Sequence, residues 1–197
     1  MKSFLKILYL FVLSILVSGN APAEIKNPDT FVLATYGTVR TLDPAVCYDA
    51  TGSQRIWTIY ETLLFFDGSH TDQFIPVLAD EVPTVANGGI SADGKTYTFS
   101  IRKGVRFHEG GELTADDVAY SLKRHMIVDP DGGPMGILLE ALTGRTSTRD
   151  KNGHLINGIF QTIDRAVTVK DERVILSLPR PYPPLLSILA YTGAAIM

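Results

Sequence analysis

The stretch SADGKTYTFSIRKGVRFHEGGELTADDVAYSL, residues 91–122, limits the possible folds more than any other part of the chain. Thr96 to Ile101 alternate strictly. Tyr97, Phe99 and Ile101 share one face and Thr96, Thr98 and Ser100 the other, so period two predicts a strand with one buried side. Such a strand needs a second layer of structure to cover it. Ser91 to Lys95 supplies the turn before it, with Gly94 free to take a positive φ. Gly110 and Gly111 allow a sharp reversal after it. Thr114, followed three positions later by Asp117, then predicts a capping box at a helix start, with aspartate in the usual glutamate place. Asp116 and Asp117 suit the positive end of the helix dipole, and Lys123, Arg124 and His125 suit the negative end. Val118, Leu122 and Met126 recur on one face of that helix.

The same stretch holds the ingredients of a metal or acid/base centre, because His108 and Glu109 precede the pair Asp116 and Asp117. A secreted metal-dependent hydrolase using these four residues is the alternative function. A metal site needs at least three convergent ligands, yet there is no HxxxH or HExxH spacing. His70, His125 and His154 would have to approach in space. The chain also lacks a GxSxG elbow, a phosphate loop and a GxGxxG after a strand. The acidic pair is accounted for by capping and dipole, so no cofactor, metal or catalytic residue is expected.

Elsewhere, Thr30 to Gly37 reads as a first strand, bounded by Asn27-Pro28-Asp29. TLDPA, residues 41–45, marks a turn, since Pro44 pushes Asp43 out of helical geometry. Ile56, Tyr60, Leu63 and Leu64 recur at helical spacing, predicting a helix over Thr51 to Leu64 with Trp57 and Tyr60 in a core. Asp67-Gly68 is a turn signal. Met135 to Leu142 is a short apolar run of helical character, and the rest of 129–158 reads as loop. Arg165 to Leu178 carries two alternating strands around Lys170-Asp171-Glu172. Pro179 to Pro184 breaks them before the apolar segment Leu185 to Tyr191. Strands and helices together predict an α+β (mixed α/β) class.

Lys2 and Lys6, the apolar run Ile7 to Val17 and the small residues Ala21 and Ala23 form a secretory signal peptide over residues 1–23, cleaved near Ala23. The run is well short of the roughly 20 apolar residues that span a bilayer, so no stable membrane anchor is expected after cleavage. The remaining chain of about 174 residues carries a net charge of about −5 with both signs interspersed, which argues against a nucleic-acid partner. Cys47 is the only cysteine, so no intrachain disulfide forms. It is expected to be a small buried residue, since no basic cluster nearby lowers its pKa.

Residues 86–121, ANGGISADGKTYTFSIRKGVRFHEGGELTADDVAYS, resemble the signature region of the bacterial extracellular solute-binding proteins of family 5. TLDPA at 41–45, IYETLLFFD at 59–67, PVLADE at 76–81 and VILSLPRPYPPLL at 174–186 extend the resemblance in the same order. These are periplasmic receptors of ABC importers for dipeptides, oligopeptides or nickel chelates. The resemblance implies a periplasmic-binding-protein-like type II fold of which this chain is a partial lobe one. Residues 24–45 would start that lobe, 46–165 would form its inserted subdomain and 166–197 would return to it, with lobe two absent. It implies a periplasmic protein that is not an enzyme, whose partners are a peptide or other small solute and ABC transporter permease subunits. The loop after the first strand, with Tyr36, Gly37, Thr38 and Thr41, would face the ligand cleft, and so would Met135 and Gly136. The alternative reading, of equal weight, is that the loop residues only cap the strand and fill a turn. With one wall of the cleft, capture is expected to be weak.

Overall fold

A computed structural model describes residues 27–32, 34, 36–129 and 132–197. The expected signal peptide lies outside the described residues. Residues 1–35 and 36–197 form separate units. In the first, the described residues hold a turn in which the Thr30 N–H donates to the Asn27 carbonyl at 3.1 Å. None of the described residues of 30–37 is in a strand, and Phe31 and Val32 are exposed. Their β propensity is satisfied only by a ladder with a neighbouring strand, and no described residue here joins one.

The second unit begins with helix α1, Ala50–Ile59, capped by the Asp49 carboxylate, which accepts from Gly52 N–H at 2.7 Å. The helix expected to reach Leu64 stops at Ile59, and Tyr60 is extended. Leu63 and Leu64 are both buried, and strand β1, Leu64–Phe66, pairs with β2, Phe74–Pro76, as an antiparallel hairpin. Pairing across the Asp67-Gly68 turn outweighs helical spacing that was accidental there. Trp57 is consequently not in a core. It is 50% exposed and meets Phe65 edge to face at 5.8 Å, whereas Tyr60 packs against Cys47, Ile56 and Ala195.

Strand β3, Thr96–Ser100, has the alternating burial the sequence predicts. β4, Val167–Lys170, and β5, Arg173–Ser177, complete an antiparallel sheet in the order β3-β5-β4. Register places Tyr97, Leu176 and Val167 in one row, and Phe99, Val174 and Val169 in the next. These rows form the covered face. The β4–β5 turn has Asp171 and Glu172 at φ 50° and 57°, a two-residue turn with both central residues left-handed. Because β5 lies between β3 and β4, the sheet crosses the expected division at residue 165.

Helix α2, Ala115–Val128, covers the sheet and has both halves of the predicted capping box. The Thr114 N–H donates to Asp117 Oδ2 at 2.9 Å, and Asp117 N–H to Thr114 Oγ1 at 3.3 Å. Val118, Leu122 and Met126 are buried as expected. α3, Gly136–Thr143, matches the short apolar run. α4, Ile159–Ala166, was not expected. It buries Ile159, Ile163 and Ala166 against α2 and α3, a face too short for a periodicity to stand out. α5, Leu185–Leu189, and a 3₁₀ turn, Thr192–Ala194, close the core. Strands and helices joined antiparallel in this way are the α+β architecture expected.

Candidate ligand-facing loop and its anchor

The loop Tyr36 to Thr41 is exposed except at Thr41, and Tyr36 is 96% exposed. Thr51, in the first turn of α1, donates its hydroxyl to the Tyr36 carbonyl at 3.3 Å. Gly37 has φ 110°, and a Cβ there would stand 2.8 Å from Thr51 Oγ1, so both backbone and space select glycine. At the other end, Thr41 Oγ1 accepts from Asp43 N–H at 3.0 Å. The Asp43 carbonyl accepts from Val46 and Cys47, and its Oδ1 accepts from Ala45 N–H.

Asp43 then ties this turn to α2. Arg124 donates to both carboxylate oxygens, Nη1 to Oδ1 at 2.9 Å and Nη2 to Oδ2 at 2.6 Å. A two-pronged guanidinium–carboxylate pair fixes direction as well as distance. Both side chains are about one quarter exposed. The guanidinium holds the Asp43 carboxyl below its usual range, and Arg124 is raised in turn. Arg124 Nη1 also contacts Met197 Sδ at 3.4 Å.

The neighbouring His125 is fully buried. Its Nε2 lies 2.6 Å from the Ala195 carbonyl, which only accepts, so Nε2 carries the proton and donates. Nδ1 is buried with no partner. Burial pushes the imidazole pKa down from 6.5 to about 4. The expectation that His125 serves as a positive charge at the helix end is therefore corrected. At neutral pH it is an uncharged core residue, because desolvation outweighs the attraction of the dipole. Ser121, one turn earlier, donates to the Met197 carbonyl at 2.9 Å and accepts from its N–H at 3.2 Å.

The other residues singled out by sequence fall in three places. Met135 is fully buried in the main core, where its sulfur lies close to Gly193, and its N–H donates to Asp129 Oδ2 at 2.7 Å. Its side chain is enclosed by that core, while Gly136 beside it is partly exposed. Cys47 is buried, as expected, with its thiol 3.8 Å from Asp49 Oδ2. His108, Glu109 and Asp116 are exposed, and Asp117 is spent on the cap. His70 and His154 are exposed while His125 is buried. Among the described residues no three His, Cys, Asp or Glu side chains are grouped to hold a metal ion, and the hydrolase alternative finds no support. Sequence reasoning missed the roles of Asp43, Arg124 and His125. The only signal for the first two was a loop aspartate and an arginine 81 positions away.

This fold is that of one receptor class. The chain belongs to the bacterial extracellular solute-binding proteins of family 5, whose middle region matches residues 73–197. It is 31% identical over 79% of its length to a probable peptide ABC transporter periplasmic-binding protein of Sinorhizobium fredii. It is 33% identical over 64% of its length to the dipeptide-binding protein of Escherichia coli. The chain spans 23% and 22% of those two relatives. Among solved structures, the peptide-binding pheromone receptor PrgZ is 26% identical with a TM-score of 0.62, covering 80% of this chain and 28% of that one. The clavulanic acid biosynthesis oligopeptide binding protein 2 is also 26% identical with a TM-score of 0.62, over 81% of this chain and 28% of that one. The family is one of binding proteins rather than enzymes. No helix among the described residues is long and apolar enough to cross a membrane.

Proposed function

We propose that the protein is the solute-capturing component of an ABC importer, taking peptides or related small solutes in the periplasm and delivering them to permease subunits. The observation that carries this reading is the match in fold to two peptide receptors over about four fifths of the chain, with the exposed 36–41 loop held at both ends. Extended peptides are held largely by backbone hydrogen bonds, with side chains in roomy pockets. The 36–41 loop suits such a role. Gly37 lets the main chain come close, Thr38 offers a hydroxyl, and Tyr36 offers a ring and a phenol. Gly136 is a second contact, with Met135 packed behind it. The leader over residues 1–23 is removed near Ala23 on export. Within lobe one, the three-stranded sheet supports ending the inserted subdomain after Leu178 rather than at residue 165.

The test is photocrosslinking of the exported protein with di- and tripeptides carrying a benzophenone side chain, followed by mass mapping. Adducts should fall on residues 36–41 and disappear with excess unlabelled peptide. Adducts scattered over the surface, or unmoved by competitor, overturn the reading. The same spectra report whether the mature chain begins at Glu24.

A further inference from the structure

We infer that Arg124 is a positioning residue, acting through Asp43 to fix the 36–41 loop in the geometry that meets ligand. The inference rests on the reading of that loop as a cleft wall. Three observations carry it.

First, Asp43 is the hub of the turn that follows the loop. It bonds Thr41 on one side and the amides of Ala45, Val46 and Cys47 on the other. Second, its carboxylate is held by the two-pronged contact with Arg124, at 2.6 and 2.9 Å. A lysine, with a single ammonium, would fix the distance without fixing the direction. Third, Arg124 stands on a rigid support. Leu122 and Met126, on either side of it in α2, are buried in the core, and Ser121 and His125 on the same helix bind the 195–197 segment. Arg124 thereby references the Asp43 end of the loop to the sheet core. Holding it in advance removes ordering cost from ligand capture, which raises affinity without adding a contact to the ligand.

The experiment uses the full exported chain and the variants Arg124→Gln, Arg124→Lys, Asp43→Asn and the double reversal Asp43→Arg with Arg124→Asp. Hydrogen exchange is read at the amides of Asp43, Ala45, Val46 and Cys47, with Thr98 and Val174 in the sheet as internal reference. Loss of the pair should speed exchange in the turn by about tenfold or more relative to the sheet. Arg124→Lys should fall between, and the double reversal should restore part of the protection. The yield of competed benzophenone adducts at 36–41 should fall in the same order. Exchange that rises equally in turn and sheet means the pair only stabilises the fold and overturns the inference. Faster exchange with an unchanged adduct yield overturns it too. If Arg124→Gln does not fold, Arg124→Lys and the reversal decide the same question. Absence of competed adducts in the unaltered protein would count against the proposed function, while the exchange comparison still decides whether Arg124 holds the loop.

Discussion

Stability should depend on pH between about 6.5 and 4, and His125 should be the cause. In the folded chain the imidazole is fully buried, donates from Nε2 to Ala195 and leaves Nδ1 without a partner. Adding a proton at Nδ1 would place a second positive charge beside Arg124 with no acceptor to receive it. Asp43, ionised and bonded to Arg124, attracts that charge but does not offset desolvation. The folded pKa of about 4 therefore lies below the 6.5 of the accessible imidazole. In this window the unfolded chain binds a proton and the folded chain does not, so stability falls as pH falls. The contribution is intact above 6.5, is lost progressively toward 4, and changes little below that. A gap of this size corresponds to about 3 kcal/mol, a large part of the 5–15 kcal/mol typical of a whole domain. Asp43 acts in a lower window. Arg124 depresses its pKa below 3.8, so what it adds is present above 3.8 and is lost as pH falls through its folded value.

The measurement is urea unfolding followed by circular dichroism at half-unit steps from pH 4.5 to 7.5. His125→Gln keeps an N–H donor for Ala195 but cannot titrate, so it should show a distinctly flatter profile over this range. Equal slopes in the two proteins would refute the reasoning. Should the glutamine variant prove too unstable, the imidazole nitrogen resonances of the unaltered protein give the titration directly. A midpoint near 6.5 would then be the refuting result.

Thr114→Ala removes one half of the capping box on α2 and should cost about 1 kcal/mol in urea unfolding. Glu172→Gly should stabilise the protein by roughly 0.5 kcal/mol in the same assay, since relief of a left-handed glutamate exceeds the added freedom of the unfolded glycine. The Lys103–Glu172 pair lost with it is exposed on both sides and contributes little. Gly193→Ala would bring a Cβ to 2.8 Å from Met135 Sδ and 3.0 Å from Tyr191 Cε1. Overpacking there should cost about 1–3 kcal/mol, read as a lower midpoint of thermal unfolding.

What the sequence made legible was local. The alternation of Tyr97 and Phe99, the Thr114–Asp117 box and the left-handed turn glycines each act over a few residues, and each is present in the fold. The misreadings came where a distant partner decided the outcome. Leu63 and Leu64 fit a helical spacing, yet Leu64 pairs with Pro76 across a hairpin. Trp57 fits an apolar helix face, but that face is partly open in the described structure. The 36–41 loop was legible, by family resemblance, as the stretch between the expected first strand and TLDPA, while the contact that holds it was not, because nothing near Asp43 in sequence points to Arg124.

The end of α2 makes the reason concrete. By sequence, Lys123, Arg124 and His125 form one basic cluster, which the helix dipole favours by about 0.3–1 kcal/mol per charge near a helix end. In the structure they do three different things. Successive residues on a helix point about 100° apart. Lys123 reaches Asp164 on α4 at 2.5 Å, Arg124 takes Asp43, and His125 turns inward to Ala195. Their partners lie 41, 81 and 70 residues away. The bidentate pair and the buried imidazole involve larger energies than the dipole, so tertiary partners decide charge state and role at this helix end. The turns and caps legible in the sequence are thus the ones whose partners are near, and the Asp43–Arg124 contact that holds the candidate site is one whose partners are not.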